Sequence, residues 1–409
     1  MRTTLEFDAP AAIDWGALEP YDTFLFRRIG DRGSWVLGVG VHRVVETPAR
    51  MAGEGPSDWR FGVVSYAYRT RLEPLRSRLP DELGYPPAFW FVPEFVFAYD
   101  GRTLLGHALP GGEGAMRSLV LSLFREPTDG SPASLHGWRT RTSKQRYLTQ
   151  CERLMEHIHR GDIYEVNLCI TRETTAFGWD PCKGFQQLYT HTDAPFAGFF
   201  RLGERYALCA SPERFLSVDG RDLIAQPMKG TRPRYADPGM DAQAAEELRT
   251  DAKERAENIM ALDVMRHDLA KVASSRSVHV KELCGIRSVP RVHQMISTVT
   301  ARLADEVDPY EAVLAAFPMA SMTGAPKFRA MQLIDEVEDQ NRGLYSGTMG
   351  YFAPDGTADL NVVIRTVFYN ARSGKASIVT GSALTAMCDP EQEWSECALK
   401  ANSVIEALQ

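Results

Sequence analysis

No apolar run in this 409-residue chain is long enough to cross a bilayer. The longest, near 119–124, falls far short of the roughly 20 residues a spanning helix needs. The first twenty residues hold Glu6, Asp8 and Asp14 and no basic, apolar leader, so no signal peptide and no membrane partner are expected. Cysteine is scarce: the seven are Cys151, Cys169, Cys182, Cys209, Cys284, Cys388 and Cys397, an odd number without Cys-x-x-Cys spacing. Reduced thiols in a cytoplasmic protein follow. Neither Gly-x-x-x-x-Gly-Lys-Ser/Thr nor Gly-x-Gly-x-x-Gly occurs, which excludes a glycine-rich phosphate cradle. Positive charge is not in excess: 46 Lys and Arg stand against 53 Asp and Glu, a net −7. That speaks against a nucleic-acid partner held by phosphate neutralisation. No glutaminase cysteine in a glycine-rich elbow is visible either.

What remains is ordinary for a soluble globular protein, with 44% apolar and 24% charged residues. The most informative stretch is 211–234. Residues 215–218 are apolar-leaning, Asp219-Gly220 favours a type I′ turn, and 223–225 return as a second strand. Glu213 enters this hairpin and Lys229 leaves it, so an acid and an amine are brought close together. Taken singly, each is surface charge more often than chemistry.

Residues 1–124 read as mixed strands and loops, with strands at Trp35–Val39 and 61–68 and an apolar stretch 88–97 cut by Pro93. Residues 125–142 are a Pro, Gly, Ser and Thr-rich connection. From 143 to 409 the elements are longer. Ser143 caps a helix with apolar positions Tyr147, Cys151, Leu154 and Ile158, ended by Gly161. A strand follows from Gly161 to Leu168. A long helix is expected from about Asp241 to Ala273, carrying Glu254 and Glu257 three apart on one face. After the β-branched run 292–300, three strands are expected, with Arg365 in the middle of the second. Asp389 caps the last helix and Pro390 opens it, with Glu393, Glu396 and Lys400 on one stripe. Two Glu-x-x-Glu pairs suit a hard cation such as Mg²⁺, which takes oxygen ligands.

Ser-Pro-Glu-Arg-Phe at 211–215 with Gln-Pro-Met-Lys-Gly-Thr-Arg-Pro-Arg at 226–234 resembles the chorismate-utilising enzymes. Within them Lys229 points to the aminodeoxychorismate-forming branch of para-aminobenzoate and folate synthesis, because anthranilate synthases carry a small residue there. The resemblance is close from about Gln145 to Leu408. It implies a large α/β sandwich, two antiparallel sheets flanked by helices, with the active site between the layers. It further implies Mg²⁺ between the two glutamate-bearing helices, with Glu257 and Glu396 as ligands and Glu254 and Glu393 beside them. Arg365 would take the enolpyruvyl carboxylate of chorismate and Lys400 the ring-carboxylate end. Thr323 and His293 match the family's substrate pocket, and Gly381-Ser382-Ala383 stands at its glycine-rich turn. Glu213 would be the general acid and Lys229 the nucleophile, made neutral by burial near Mg²⁺. Glu165 stands where amine-transferring relatives usually have Gln and isochorismate synthases a lysine. Ammonia, from a separate glutamine amidotransferase subunit, would be the second substrate. Anthranilate synthase and isochorismate synthase are the rival activities, and a catalytically silent subunit that only docks an amidotransferase is the rival of another class.

Overall fold

Pro93 decides more than a strand end. Ala88–Val92 pairs with Arg60–Val64 in one sheet, while Phe95–Tyr99 pairs with Trp35–Val39 in another. The computed structural model describes residues 2–10, 12–30, 32–49, 58–125, 133–289 and 292–409. Among them, two wholly antiparallel sheets of 12 and 10 strands are flanked by helices. Strands from the first 124 residues enter both sheets, so this third of the chain is woven into the same sandwich. The expected connection runs in part, at 126–132, outside the described residues; beyond it Arg139–Thr140 pairs with the strand Glu165–Thr175.

The strand Thr23–Arg28 shows how the layers are filled. Leu25 points into the cluster between the sheets, beside Val36, Phe200, Phe61 and Trp90. Its neighbours Phe24 and Phe26 point the other way, against Trp15, Trp35 and Phe185 under the outer helix Pro181–Thr192. Alternation with period two sends successive side chains to opposite faces, so a strand buried on both reads as a continuous apolar run. Each such side chain, fully buried, contributes about 1.5–3 kcal/mol. All seven cysteines are free thiols, six of them buried.

Two capped helices form as the sequence predicts. Lys144–His159 starts with Ser143 accepting from Arg146 N, and Pro390–Glu406 with Asp389 accepting from Glu391 N. The strand after the first of them starts only at Glu165 and runs to Thr175. Three other expectations change. The hairpin closes on the Asp219–Asp222 pair, leaving Gly220 and Arg221 as its loop. Gly220 alone is left-handed, at φ +58, as in the turn with glycine first rather than the type I′ turn. The long helix is two, Pro238–Thr250 and Ala252–Ala270, because Asp251 leaves the helical region and caps the second through Glu254 N at 3.0 Å. The strand expected through Arg365 is also two: Ala358–Asn361 lies in the 10-stranded sheet and Thr366–Asn370 in the 12-stranded one. Residues 362–365 cross between the layers, and Arg365, at φ +52, makes the corner.

Candidate active site

Lys229 reaches across the sandwich because its strand is bulged. In Met228–Pro233, Met228 pairs with Ile296 and Thr231 with Gln294, so the extra residue falls at Lys229-Gly230. Gly230 is left-handed at φ +87, and a Cβ there would lie 2.9 Å from a Glu254 carboxylate oxygen. The segment that carries Lys229 out of the hairpin is thus a bulged strand. From it Lys229 Nζ donates to Glu165 Oε1 at 2.5 Å. Glu165 starts a strand of the other sheet, so this ion pair joins the two layers, and both side chains are buried. Gly230→Ala should move the amine and lower kcat about 10²-fold, the order a 1 Å misplacement costs, while the circular dichroism spectrum stays native.

Burial and neighbouring charge pull Lys229 in opposite directions. Desolvation alone would depress the amine, but Glu165, Glu257 and Glu213 together outweigh it and hold the ammonium well above the usual lysine range. Glu213, the candidate general acid, is a buried carboxyl. It lies just before the strand Arg214–Asp219, 4% exposed, and accepts from Ser321 Oγ at 2.8 Å. Burial pushes its carboxyl up to about 7, against the opposing pull of Ser321 and Lys229.

The four helical carboxylates approach one another with lysines among them. Lys253 Nζ bonds Glu393 Oε1 at 2.8 Å and lies 3.5 Å from Glu257 Oε1, tying the two helices. Lys400 Nζ bonds Glu396 Oε1 at 2.5 Å and the Gly381 carbonyl at 2.9 Å. Glu254 lies 3.6 Å from Arg232. Among the described residues no three acidic, histidine or cysteine side chains form a ready metal cage. Even so, Glu257 Oε1 and Glu393 Oε2 are buried without a hydrogen-bond partner. An all-carboxylate donor set with two such open oxygens fits a hard divalent cation. Burial raises the Glu257 carboxyl to about 7 despite Lys229 and Lys253.

The other candidates divide. Arg365 NH1 donates to Ser403 Oγ at 2.7 Å, and among the described residues no carboxylate lies within ion-pair distance of its guanidinium. Gly381, Ser382 and Ala383 form no turn: they lie in the strand Lys375–Thr385, paired throughout with Glu165–Thr175. Beyond Ile378 the other edge of that strand is left by Thr366–Asn370. Ser382 Oγ is buried against Tyr147 OH at 2.8 Å, and Thr323 is buried with its hydroxyl on the Met319 carbonyl. His293 is placed in a different cluster, between Ser288 Oγ at 2.8 Å and Asp241 Oδ1 at 3.0 Å, with Arg234 on the same aspartate. It is a buried histidine bonded through both ring nitrogens, and among the described residues it makes no hydrogen bond to Lys229.

A model of the chorismate-binding enzymes matches residues 38–406. The chain belongs to this family. Among chorismate-binding enzymes it is similar to aminodeoxychorismate synthase component 1 of Klebsiella aerogenes, 39% identical over 349 residues, covering 85% of this chain and 77% of that one. It is likewise similar to anthranilate synthase component 1 of Thermus thermophilus, 34% identical over 363 residues with the same coverage. The fold matches anthranilate synthase component I from Streptococcus pneumoniae with a TM-score of 0.78 at 21% identity, over 99% of this chain and 92% of that one. It also matches the menaquinone-specific isochorismate synthase of Escherichia coli with a TM-score of 0.81 at 16% identity, over 100% and 95%.

Two groups of this family member escape a reading of its sequence. Ser321 has no pattern to mark it, since one hydroxyl in a short 3-10 turn carries no signal. Lys253 had one, a lysine four residues before Glu257 on a helix.

Proposed function

We propose that the chain is component 1 of an aminodeoxychorismate synthase, turning chorismate and ammonia into 4-amino-4-deoxychorismate. Lys229 carries this reading: a buried amine held across the sandwich by Glu165, with Glu213 feeling the same charge. The similarity to component 1 of Klebsiella aerogenes supports it. Anthranilate synthase is the second reading, favoured by the Thermus relative and disfavoured by the lysine.

Chorismate is a dianion. Arg365, without a carboxylate partner among the described residues, would take the enolpyruvyl carboxylate, and Lys400 would face the ring carboxylate. Glu257 and Glu396, with Glu254 and Glu393 beside them, would hold Mg²⁺, which when bound supplies positive charge to the ring carboxylate. Lys229 passes a proton to Glu165 and its Nζ lone pair attacks ring C2. The ring double bonds shift, and the 4-hydroxyl leaves as water with the proton of Glu213. Ammonia then attacks C4, the double bonds shift back, and Lys229 departs from C2, taking back its proton from Glu165 while the new C4 ammonium returns one to Glu213. A carboxyl poised near 7 can serve as that acid at neutral pH. The ammonia would come from a separate glutamine amidotransferase subunit.

Mass identification of the product from chorismate, Mg²⁺ and ammonium tests this. The expected product is 4-amino-4-deoxychorismate, formed with ammonium but not with glutamine until an amidotransferase subunit is added. Anthranilate or isochorismate instead would overturn the assignment. Excess chelator should abolish turnover, as should Glu257→Gln or Glu396→Gln with the fold intact; full turnover in chelator would contradict the metal's role.

A further inference from the structure

We propose that Lys253 is a positioning residue for the metal's carboxylates: an internal counter-ion that holds Glu257 and Glu393 together until a divalent cation displaces it. This rests on the reading that those carboxylates take Mg²⁺. Lys253 sits in the first turn of Ala252–Ala270, and its Nζ bridges to Glu393 on the last helix at 2.8 Å while lying 3.5 Å from Glu257. The two carboxylate side chains are only 2% and 6% exposed, whereas that of Lys253 is 30% exposed.

That asymmetry sets the roles. Two buried carboxylates on neighbouring helices repel strongly in a medium of low effective dielectric. A cation between them removes most of that repulsion and fixes their separation. The other two lysines of the site are committed elsewhere, Lys229 to Glu165 and Lys400 to Glu396 and the Gly381 carbonyl. Lys253 has a flexible, partly solvated stem and can swing out, while the glutamates, packed on helices, cannot. Glu257 Oε1 and Glu393 Oε2, which make no hydrogen bond, are the oxygens left open for the incoming ion. The lysine therefore competes with the metal for the same two carboxylates, bonded to Glu393 Oε1 and lying beside Glu257 Oε1.

Two measurements on the full chain test this. Lys253→Met keeps the stem and removes the charge. Without metal its Tm should fall below wild type, yet by calorimetry it should bind Mg²⁺ about tenfold more tightly. A merely structural lysine would give weaker or unchanged affinity, and either result overturns the proposal. Because the variant could fail to fold without metal, the second measurement uses wild type. The rate at which an N-hydroxysuccinimide acetate labels Lys253, read by peptide mass spectrometry, should rise several-fold on adding Mg²⁺ as the amine is released. An unchanged or lower rate contradicts displacement. If wild type shows no Mg²⁺ binding by calorimetry, the metal reading itself falls, an outcome distinct from Mg²⁺ binding with Lys253 unmoved.

Discussion

Lys229→Ala should form 4-amino-4-deoxychorismate at least about 10³-fold more slowly than wild type, the order expected when a covalent nucleophile is removed. The loss should fall on kcat more than on KM, because the amine acts in bond making. The variant leaves Glu165 buried at 2% exposure with its ion-pair partner gone, so Tm should drop as well. With the lysine absent, water or ammonia can reach C2 directly, and a shift of the residual product toward C2 substitution is expected. Wild-type rates of aminodeoxychorismate formation in this variant would reduce Lys229 to a charge in the pocket.

Glu213→Gln should slow the reaction about 10²- to 10⁴-fold by removing the proton that leaves with the 4-hydroxyl. It keeps the size of the side chain and an acceptor for Ser321. In wild type the acid is active while protonated, so with a pKa near 7 the rate should fall as pH rises above 7, about tenfold per unit once well past it. Stability should also fall with rising pH, but in a lower window. The folded carboxyl holds its proton up to about 7 while the unfolded one loses it near 4.5, so between these values the native state binds more protons and stability falls with rising pH. Glu213→Gln lacks that penalty. At pH 8 it should be slower than wild type yet at least as stable, a combination a simple packing defect cannot give.

How much of this was legible in the sequence depended on whether the signal was local. Asp389-Pro390 states a helix start in adjacent residues, and the helix begins there. The acid and the amine at the ends of 213–229 were readable because a hairpin fixes its own geometry. The crossing at 362–365 was not: Val362, Val363 and Ile364 are β-branched, the first two buried and the third partly so, the composition of a strand whether or not the chain changes sheets. The helix break at Asp251 had a local cap signal, overridden in reading by apolar spacing that continues on both sides of it. The pairing of Lys229 with Glu165 was not legible for a different reason. Burial is predictable from context, but Glu165 and Lys229 are 64 residues apart and meet only through the fold. His293 matched a pattern, and tertiary packing gave it to Asp241 and Ser288 instead.

The most direct test of Lys229 as the nucleophile is to incubate the chain with chorismate and Mg²⁺ in the absence of ammonia and map its tryptic peptides by mass. The account predicts a chorismate-derived adduct on the peptide carrying Lys229, heavier by chorismate less one water, and insensitive to borohydride because the new bond is a secondary amine. The adduct should vanish when ammonium is added and be absent from Lys229→Ala. An unmodified Lys229 peptide in wild-type chain that nonetheless turns over with ammonium would contradict it.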